Sequence, residues 1–170
     1  MEQLRKFLRW QAESGRELVG TELAVQVPVG ERAVLAGRVD RLERDAQGRA
    51  VVVDLKTGTS KPSKAELARH PQLGVYQLAV ALGAFADQHD LREPGGAALL
   101  QLKTGKKADE QLQRALGDDD DPGWAGELVA RVVQGMSGSD FPATVNEHCA
   151  RTCAVRASCP AFPEGESVLR

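Results

Sequence analysis

Two aspartates and a lysine stand close together in the chain and have the chemistry of a hydrolytic site. Asp40 lies in one strand-forming segment, and Asp54 and Lys56 close the next segment. Residues two apart on a strand project from the same face, so Lys56 lies on the same side as Asp54. These types and this spacing predict a site for a divalent cation and a phosphodiester.

The cation would offset the repulsion between the two carboxylates. Mg²⁺ takes oxygen ligands from one or two carboxylates and keeps several waters. The backbone carbonyl of Leu55, between Asp54 and Lys56, is a natural further ligand. A lysine at the rim of such a site could help to deprotonate a water and offset charge in the transition state. This chemistry requires that Asp40 and Asp54 meet.

A tight turn is what would bring the two aspartates together. The strand segments 33–42 and 49–55 are joined by Asp45-Ala46-Gln47-Gly48-Arg49. Asp suits the first position of a type I turn, and glycine suits the left-handed position that follows. The stretch therefore predicts a β-hairpin with a three-residue loop.

The register of this hairpin decides the site. If Asp45 pairs with Arg49, Asp40 lies directly across from Asp54, and opposed Cβ atoms are roughly 4.5–5.5 Å apart. A loop one residue longer would instead set Asp40 against Val53, on the wrong face. We expect the first arrangement, with Gly48 left-handed.

The rest of the chain predicts the elements that support the hairpin. The predicted helices cover residues 2–14 and about 71–85, with further helix starts near residue 64 and at residues 121–122. The further strands cover residues 21–27 and 97–103. Glu22 lies on the polar side of the first of these strands, and Pro71 predicts a helix break near His70. This succession favours an α/β fold, with an antiparallel hairpin section in a mixed central sheet flanked by helices.

Composition limits the classes of protein that fit. The chain has 170 residues, 42% hydrophobic and 27% charged, which suits one globular domain. Its net charge of −2 means that binding to nucleic acid would need a local basic patch. No apolar run is long enough for a membrane span, and the start does not resemble a signal peptide, so we expect a cytoplasmic protein that does not contact membranes.

Three cysteines cluster near the end of the sequence. Cys149, Cys153 and Cys159 fall within eleven residues, and there is no other cysteine. An odd number so closely spaced favours a metal-ligand set over disulfides. Thiolates suit an iron–sulfur cluster or zinc.

Three motifs in succession resemble those of a known family. They are Gly37-Arg38-Val39-Asp40-Arg41-Leu42, then Val52-Val53-Asp54-Leu55-Lys56-Thr57-Gly58, then Gln72 through Tyr76. The succession resembles the RecB-like nuclease family of the PD-(D/E)xK superfamily, found in bacterial helicase–nucleases such as RecB, AddA/AddB and AdnA/AdnB. The resemblance covers roughly residues 20 to 160 and implies a restriction-endonuclease-like core.

The resemblance also implies roles for individual residues. Asp40 and Asp54 would be metal ligands for Mg²⁺ or Mn²⁺, and Lys56 the catalytic lysine. Glu22 would be the acidic residue of the preceding strand. Gln72 and Tyr76, at i and i+4 on one helix face, would brace the site or touch the DNA strand.

At the level of the whole protein, the resemblance implies a metal-dependent DNA exonuclease. It would act in DNA end processing and double-strand-break repair. Its substrate would be DNA strands, above all single strands, that an attached helicase delivers.

The cysteine tail resembles one that supplies three thiolates to a [4Fe–4S] cluster, with a fourth cysteine far upstream. That fourth cysteine is absent here, and the residues before Glu22 lack the upstream histidine of the family. We therefore expect either a piece of a larger chain or a degenerate relative. The sequence divides into an N-terminal helix (1–19), a nuclease core (20–140) and a cysteine tail (141–170), all in one domain.

Alternatives stay open at this point. The chain could be a catalytically incomplete module that binds DNA or another partner through its cysteine cluster, or a zinc-binding partner domain. The basic turns at 61–64 and 103–107 would matter only beside the hairpin, and the acidic run 118–121 is typical of a solvated loop.

Overall fold

The computed structural model describes residues 1–140, 142–146, 149 and 152–163. Contacts within the chain divide it into two compact units, Met1–Val133 and Gln134–Arg170. The elements, in chain order, are α1 (Glu2–Glu13), β1 (Glu17–Val29), β2 (Ala33–Arg44), β3 (Ala50–Lys56), α2 (Lys64–Ala68), α3 (Pro71–Ala81), α4 (Ala86–His89), β4 (Pro94–Gln101), β5 (Asp109–Gln113) and α5 (Trp124–Ser137).

The first unit is built on a mixed five-stranded sheet of order β1-β2-β3-β4-β5. Strands β1 to β3 form an antiparallel meander, β3 and β4 are parallel, and β5 returns antiparallel to β4. The parallel pair needs a crossover connection, which α2, α3 and α4 supply. The predicted α/β fold with an antiparallel hairpin section is confirmed.

A helix covers each face of the sheet, because the central strands are buried on both sides. One face packs against α3 through an apolar cluster that includes Val39, Val52, Leu73, Val80 and Leu99. The other face packs against α1 through a second cluster that includes Trp10, Val51, Val53, Ala98 and Leu100. Alternate residues of β3 thus enter different cores, as the two-residue period of a strand requires.

The hairpin between β2 and β3 has the predicted turn. Gly48 has a φ of +81°, in the left-handed region, and Asp45 N–H donates to the Arg49 carbonyl at 2.9 Å. The Asp45 side chain also accepts from Arg49 N–H at 2.8 Å. The ladder then continues in the predicted register from Arg44 opposite Ala50 onwards.

Several boundaries differ from the sequence prediction, and one strand is not predicted. Strand β1 runs over Glu17–Val29 instead of 21–27, and β2 continues to Arg44. Helix α3 ends at Ala81, because the chain turns there into Gly83, which has a φ of +91°. Strand β4 runs over Pro94–Gln101 instead of 97–103. The sequence does not predict strand β5, since Asp109–Gln113 is polar except for Leu112 and pairs on one side only, with β4.

The second unit has little regular structure in its described residues. It contains the end of α5 and a single 3₁₀ turn, Arg156–Ser158, where the Arg156 guanidinium lies 4.5 Å from the Phe162 ring centroid. The predicted irregular cysteine tail is confirmed for these residues. Of that prediction, residues 141, 147, 148, 150, 151 and 164–170 lie outside the described part.

The helices are short, and the longest, α5, has 14 residues. In the part of the chain that the structure describes, none is long and apolar enough to cross a membrane.

Candidate active site

The candidate site lies at the carboxyl end of β3, where that strand passes under the first turns of α3. Asp54 is the last fully buried residue of β3, with 4% of its surface exposed. Pro71 at the first position of α3 starts the helix. Gln72 and Tyr76 follow one turn apart on the helix face above Asp54.

Four side chains are joined here by direct contacts. Lys56 Nζ lies 2.7 Å from Asp54 Oδ2 and donates to Gln72 Oε1 at 3.1 Å. Gln72 Nε2 donates to Asp54 Oδ1 at 2.8 Å and to the Tyr76 hydroxyl at 2.9 Å. Tyr76 OH in turn lies 3.4 Å from Asp54 Oδ1. The Gln72 amide therefore holds the carboxylate and the ammonium in one fixed arrangement.

Asp40 enters the site where β2 and β3 separate. The ladder ends with Arg41 opposite Val53, one residue short of an Asp40–Asp54 pair. Asp40 Oδ2 instead accepts a hydrogen bond from Leu55 N–H at 2.8 Å. The N–H and C=O of a strand residue point toward the same neighbour, so the Leu55 carbonyl faces this gap as well. The predicted register holds, and the strands part where Asp40 would face Asp54.

Glu22 is placed differently from the other candidates. It has a φ of +52° in the middle of β1, which turns its side chain out of the regular strand pattern. Its carboxylate lies 3.6 Å from Arg38 NH1, and both side chains are about two-thirds exposed. Among the described residues, no hydrogen bond or ion pair joins Glu22 to the contacts around Asp54.

The hydroxyl of Tyr76 is a neutral donor in this setting. Burial raises the pKa of the Tyr76 phenol, and the nearby carboxylates of Asp54 and Asp40 act in the same direction. A phenol with a raised pKa stays protonated throughout the neutral range.

His70 belongs to the site, although its sequence pattern predicts only a helix break there. It is the N-cap residue of α3, and its Nδ1 atom is buried without a hydrogen-bond partner in the described structure. Burial lowers the pKa of the imidazole, and the charge of Lys56 lowers it further, against an opposing effect of Asp54. Pro71 predicts that a helix starts one residue before Gln72, and this signal in the sequence could have identified His70 as a residue near the site.

Gln101 is the second residue that sequence reasoning does not identify. It is the partner of Lys56 in the parallel register of β3 and β4, and only 1% of its surface is exposed. Neither atom of its amide has a hydrogen-bond partner within the described residues. A glutamine at the end of the apolar run Ala97–Leu100 is the only signal of it in the sequence.

The oxygen atoms present fit a hard cation. Asp54 Oδ2 is buried and accepts no directed hydrogen bond from the described residues, although Lys56 Nζ is close to it. Nowhere in the described chain do three or more His, Cys, Asp or Glu side chains gather as a metal-binding group. A cation would thus draw on Asp40, Asp54 and the Leu55 carbonyl, a set that suits Mg²⁺ or Mn²⁺ better than zinc.

The three cysteines lie in the second unit, each half-buried and without a disulfide. Cys149 Sγ accepts a hydrogen bond from Asn146 N–H at 3.3 Å. The described residues do not gather the three thiols into a metal-binding group. The iron–sulfur cluster that the sequence resemblance implies therefore stays a prediction.

Comparison with known proteins found a match to one family model and to several solved structures. A model of the PD-(D/E)XK nuclease superfamily matches residues 1–160. No curated protein matches the chain, whereas 15 chains of solved structures do. One of these, described as the crystal structure of SSO0001, is 19% identical with a TM-score of 0.49. The match covers 94% of the present chain and 66% of that one, which is slightly less than two thirds of its length.

Proposed function

Because the chain belongs to the PD-(D/E)XK nuclease superfamily, we propose that it is a divalent-metal-dependent deoxyribonuclease whose reaction takes place at Asp54. One observation carries the proposal: a buried carboxylate is held between the Lys56 ammonium and the Gln72 amide, beside a second carboxylate at the split between β2 and β3. A nuclease needs this combination of charges, whereas a strand that serves only as scaffold does not.

In the proposed mechanism, Asp40, Asp54 and the Leu55 carbonyl would hold Mg²⁺ or Mn²⁺. The bound cation supplies Lewis-acid stabilisation of the phosphoryl oxygens. Lys56 places a positive charge and three N–H donors beside the scissile phosphate, where they offset charge that develops during cleavage.

Gln72 and Tyr76 act by positioning. Gln72 contacts both Asp54 and Lys56, so it fixes the distance between the acidic and the basic group before substrate arrives. Tyr76 contributes a neutral hydroxyl that touches Asp54 and Gln72 without adding charge. Such preorganised dipoles lower the reorganisation needed in the transition state.

The finer assignment also belongs to this proposal. We infer a RecB-like nuclease that acts as an exonuclease on single strands delivered by a helicase, during DNA end processing and double-strand-break repair. Its support is the succession of the hairpin motifs and the Gln72–Tyr76 helix in the sequence. Glu22, the acidic residue of the preceding strand, is retained as a candidate site residue for the substrate-bound protein.

Cleavage assays on the purified chain test the proposal. We expect Mg²⁺- or Mn²⁺-dependent loss of linear single-stranded DNA, which a chelator stops. Asp54→Asn should lower the rate at least about a hundredfold, as removal of a main electrostatic group does. The matched control is Asp87→Asn on α4, an exposed aspartate, which should cut at the wild-type rate.

Two outcomes would contradict the assignment. One is Asp54→Asn cutting as fast as the control variant. The other is cleavage that persists without any divalent metal. Circular single-stranded DNA in parallel distinguishes exonuclease from endonuclease activity, since an exonuclease leaves circles intact.

A second candidate function is a non-catalytic module that binds DNA. It is favoured by the short Lys56–Asp54 ion pair, in which the lysine already neutralises the carboxylate without a metal. Such a module would hold DNA equally well with and without Mg²⁺ and would never cut it.

The cysteine cluster is proposed separately, because it lies in the other unit. If Cys149, Cys153 and Cys159 supply thiolates to a [4Fe–4S] cluster, anaerobically purified protein will contain iron and sulfide and absorb visible light. Zinc in elemental analysis would indicate a zinc site instead, and neither metal would indicate free thiols.

A further inference from the structure

The loop between β4 and β5, residues 102–108, is the most basic exposed segment of the described structure. It carries Lys103, Lys106 and Lys107, all exposed, and no acidic residue. The whole chain has a net charge of −2, so this is a local departure from the protein's overall charge. A concentrated positive patch attracts polyanions even when the net charge is negative.

The loop lies at the same end of the sheet as the candidate site. Strands β3 and β4 are parallel, with Lys56 beside Gln101, so the segments that follow them leave the sheet side by side. Leu102 N–H donates to the Lys56 carbonyl at 3.0 Å, which ties the start of the loop directly to the site.

The positive charges of this loop are not neutralised by ion pairs with other described residues. The ion pairs that lysines form in this part of the chain involve Lys6, Lys56 and Lys61. The two acidic residues that follow the loop are both engaged elsewhere: Asp109 with Lys61, and Glu110 with Arg16 and Trp10.

A neighbouring cleft provides a contrast. A cleft of about 860 Å³ between α2 and β5 also contains cationic side chains. There, however, Lys61 and Arg69 are paired with Asp109 and Asp119, and Arg114 lies 4.0 Å from Asp120, which leaves Lys64 as the one lining lysine without an ion pair in the described structure. Paired charges attract phosphates weakly, so the open loop is the better surface for an anionic partner.

The N-terminal helix fixes the loop in place. Lys6 on α1 is buried, with 7% of its surface exposed, and its Nζ donates to the Gly105 carbonyl at 2.7 Å. Gly105 has a φ of +71°, a conformation that suits glycine. Because the loop is held at its middle, its lysines project from a defined position next to the site.

We propose that Lys103, Lys106 and Lys107 form a surface that binds the phosphates of a nucleic-acid strand and guides it toward Asp54 and Lys56, with Lys6 as the residue that positions the loop. The inference rests on the proposed function for its partner, a DNA strand. It adds the path by which that strand reaches the site.

Binding of a labelled single-stranded oligonucleotide to the full chain, in chelator so that the strand stays intact, tests the surface. We expect Lys106→Gln/Lys107→Gln to weaken binding and to flatten its salt dependence. The slope of log affinity against log salt should fall in magnitude by roughly 0.7 for each phosphate that the protein no longer binds, hence roughly 1.4 for the double variant.

The matched control removes two exposed arginines from the opposite end of β4 and β5. Arg92 precedes β4 and Arg114 follows β5, and each forms only a 4.0 Å ion pair. Arg92→Gln/Arg114→Gln should leave the slope at the wild-type value. An equal change in both double variants, or none in the loop variant, would overturn the proposal.

The role of Lys6 has its own control. Lys6→Met keeps the buried aliphatic stem and removes the hydrogen bond to Gly105, so we expect affinity to fall severalfold with all loop lysines present. Glu2→Gln removes only the exposed partner of Lys6, at 3.1 Å, and should bind normally. Thermal melts by circular dichroism identify any variant that fails to fold, and the loop double variant then decides the proposal alone.

Further arms separate this inference from the nuclease assignment. Wild-type protein that binds strands through the loop and never cuts them would contradict the nuclease and support the surface. Wild-type protein that cuts DNA while the loop variant binds like the control would overturn the surface alone. Poly-glutamate that competes as well as DNA would indicate an acidic protein partner and would also overturn it.

Discussion

Buried polar groups occur on both faces of the sheet, and those at the carboxyl ends of β3 and β4 differ from the others in lacking partners. On the α1 face, the buried carboxylate of Glu43 accepts hydrogen bonds from the buried Arg41, also on β2, and from Arg16. On the α3 face, Asp54 and Gln101 are equally buried but retain atoms without hydrogen-bond partners among the described residues. The contrast separates groups that stabilise the protein from groups at the place where chemistry is proposed.

The α1 face is a closed network. Glu43 accepts from Arg16 at 2.5 Å and from Arg41 at 2.6 Å. Arg16 also donates to Glu110 at 2.6 Å, and Trp10 Nε1 donates to the same carboxylate at 2.7 Å. The network connects α1 to β2 and β5 and gives each of its charges a partner of opposite sign.

On the α3 face, Gln77 donates to Gln113, but the polar groups nearer the candidate site are not all paired, and we call that part the open face. All five buried side-chain atoms that lack partners in the described structure belong to Asp54, His70, Gln101 and Gln111. Asp54, Gln101 and Gln111 lie on β3, β4 and β5, and His70 is the N-cap residue of α3. Native proteins rarely leave such atoms unpaired without a functional reason. Stability is thus given up at the place where chemistry is proposed.

The largest expected effect is on the closed network. Glu43→Gln removes the charge that balances Arg16 and Arg41, and breaking a buried ion pair costs about 3–5 kcal/mol. Denaturant unfolding should show this loss. Glu17→Gln is the control, because its 3.5 Å ion pair with Arg44 leaves the glutamate 72% exposed. Equal losses of stability in the two variants would contradict the stabilising role of the α1-face network.

The next effect concerns the helix that carries Gln72 and Tyr76. A Cβ on Gly74 would lie 2.3 Å from Trp124 Cη2, so either α3 or the Trp124 ring must shift to accept a side chain there. We expect Gly74→Ala to cost about 1–3 kcal/mol by overpacking and to lower cleavage as well. Gly126→Ala on α5 has open space at its Cβ and should gain up to about 1 kcal/mol in the free energy of unfolding. Similar losses in both variants would contradict the close packing of α3 against Trp124.

Gln101 gives the sharpest test of the open face. Its unpaired amide costs stability, so Gln101→Leu should raise the free energy of unfolding by about 1–3 kcal/mol. The same change removes a polar group beside Lys56, so cleavage should fall. Gln113→Leu is the control, because Gln113 donates to the Leu67 carbonyl at 2.8 Å and its loss should destabilise. A Gln101→Leu protein that is less stable than wild type would contradict the open-face interpretation.

The hairpin is predictable because its determinants are local. The left-handed Gly48 and the two roles of Asp45 fix the turn, and the turn fixes the register. The point where the strands part is not predictable. It depends on Asp40 accepting from Leu55 N–H, a competition between a side chain and the backbone that the alternating pattern does not encode.

The unpaired polar groups of the open face cannot be predicted from the sequence for a similar reason. Whether Gln101 is buried depends on its neighbours across β3 and β5, and no pattern in the sequence indicates β5. In sequence, an edge strand of polar residues resembles a loop, because it pairs with a neighbour on one side only and carries no apolar pattern. Likewise, no local pattern in the sequence predicts the hydrogen bond from Arg16, which precedes β1, to Glu43 on β2.

The smallest expected effect is a pH dependence at His70. Its pKa lies below the ordinary histidine value because of burial and the charge of Lys56. The folded state then binds fewer protons than the unfolded state near pH 6.5, so stability is fully present above about pH 6.5 and falls as the pH drops below it.

When the pH is lowered from about 7.5 to about 5, His70→Gln should therefore lose less thermal stability than the wild type. This pH range spans the ordinary histidine pKa. His89→Gln on α4 removes an imidazole away from the site and should keep the wild-type pH profile. An unchanged profile in His70→Gln would mean that the imidazole is not held neutral beside Lys56. The open face would then consist of Asp54 and the two glutamines alone. Because burial is the main cause of the lowered pKa of His70, this titration tests the packing of the α3 N-terminus directly, without requiring cleavage.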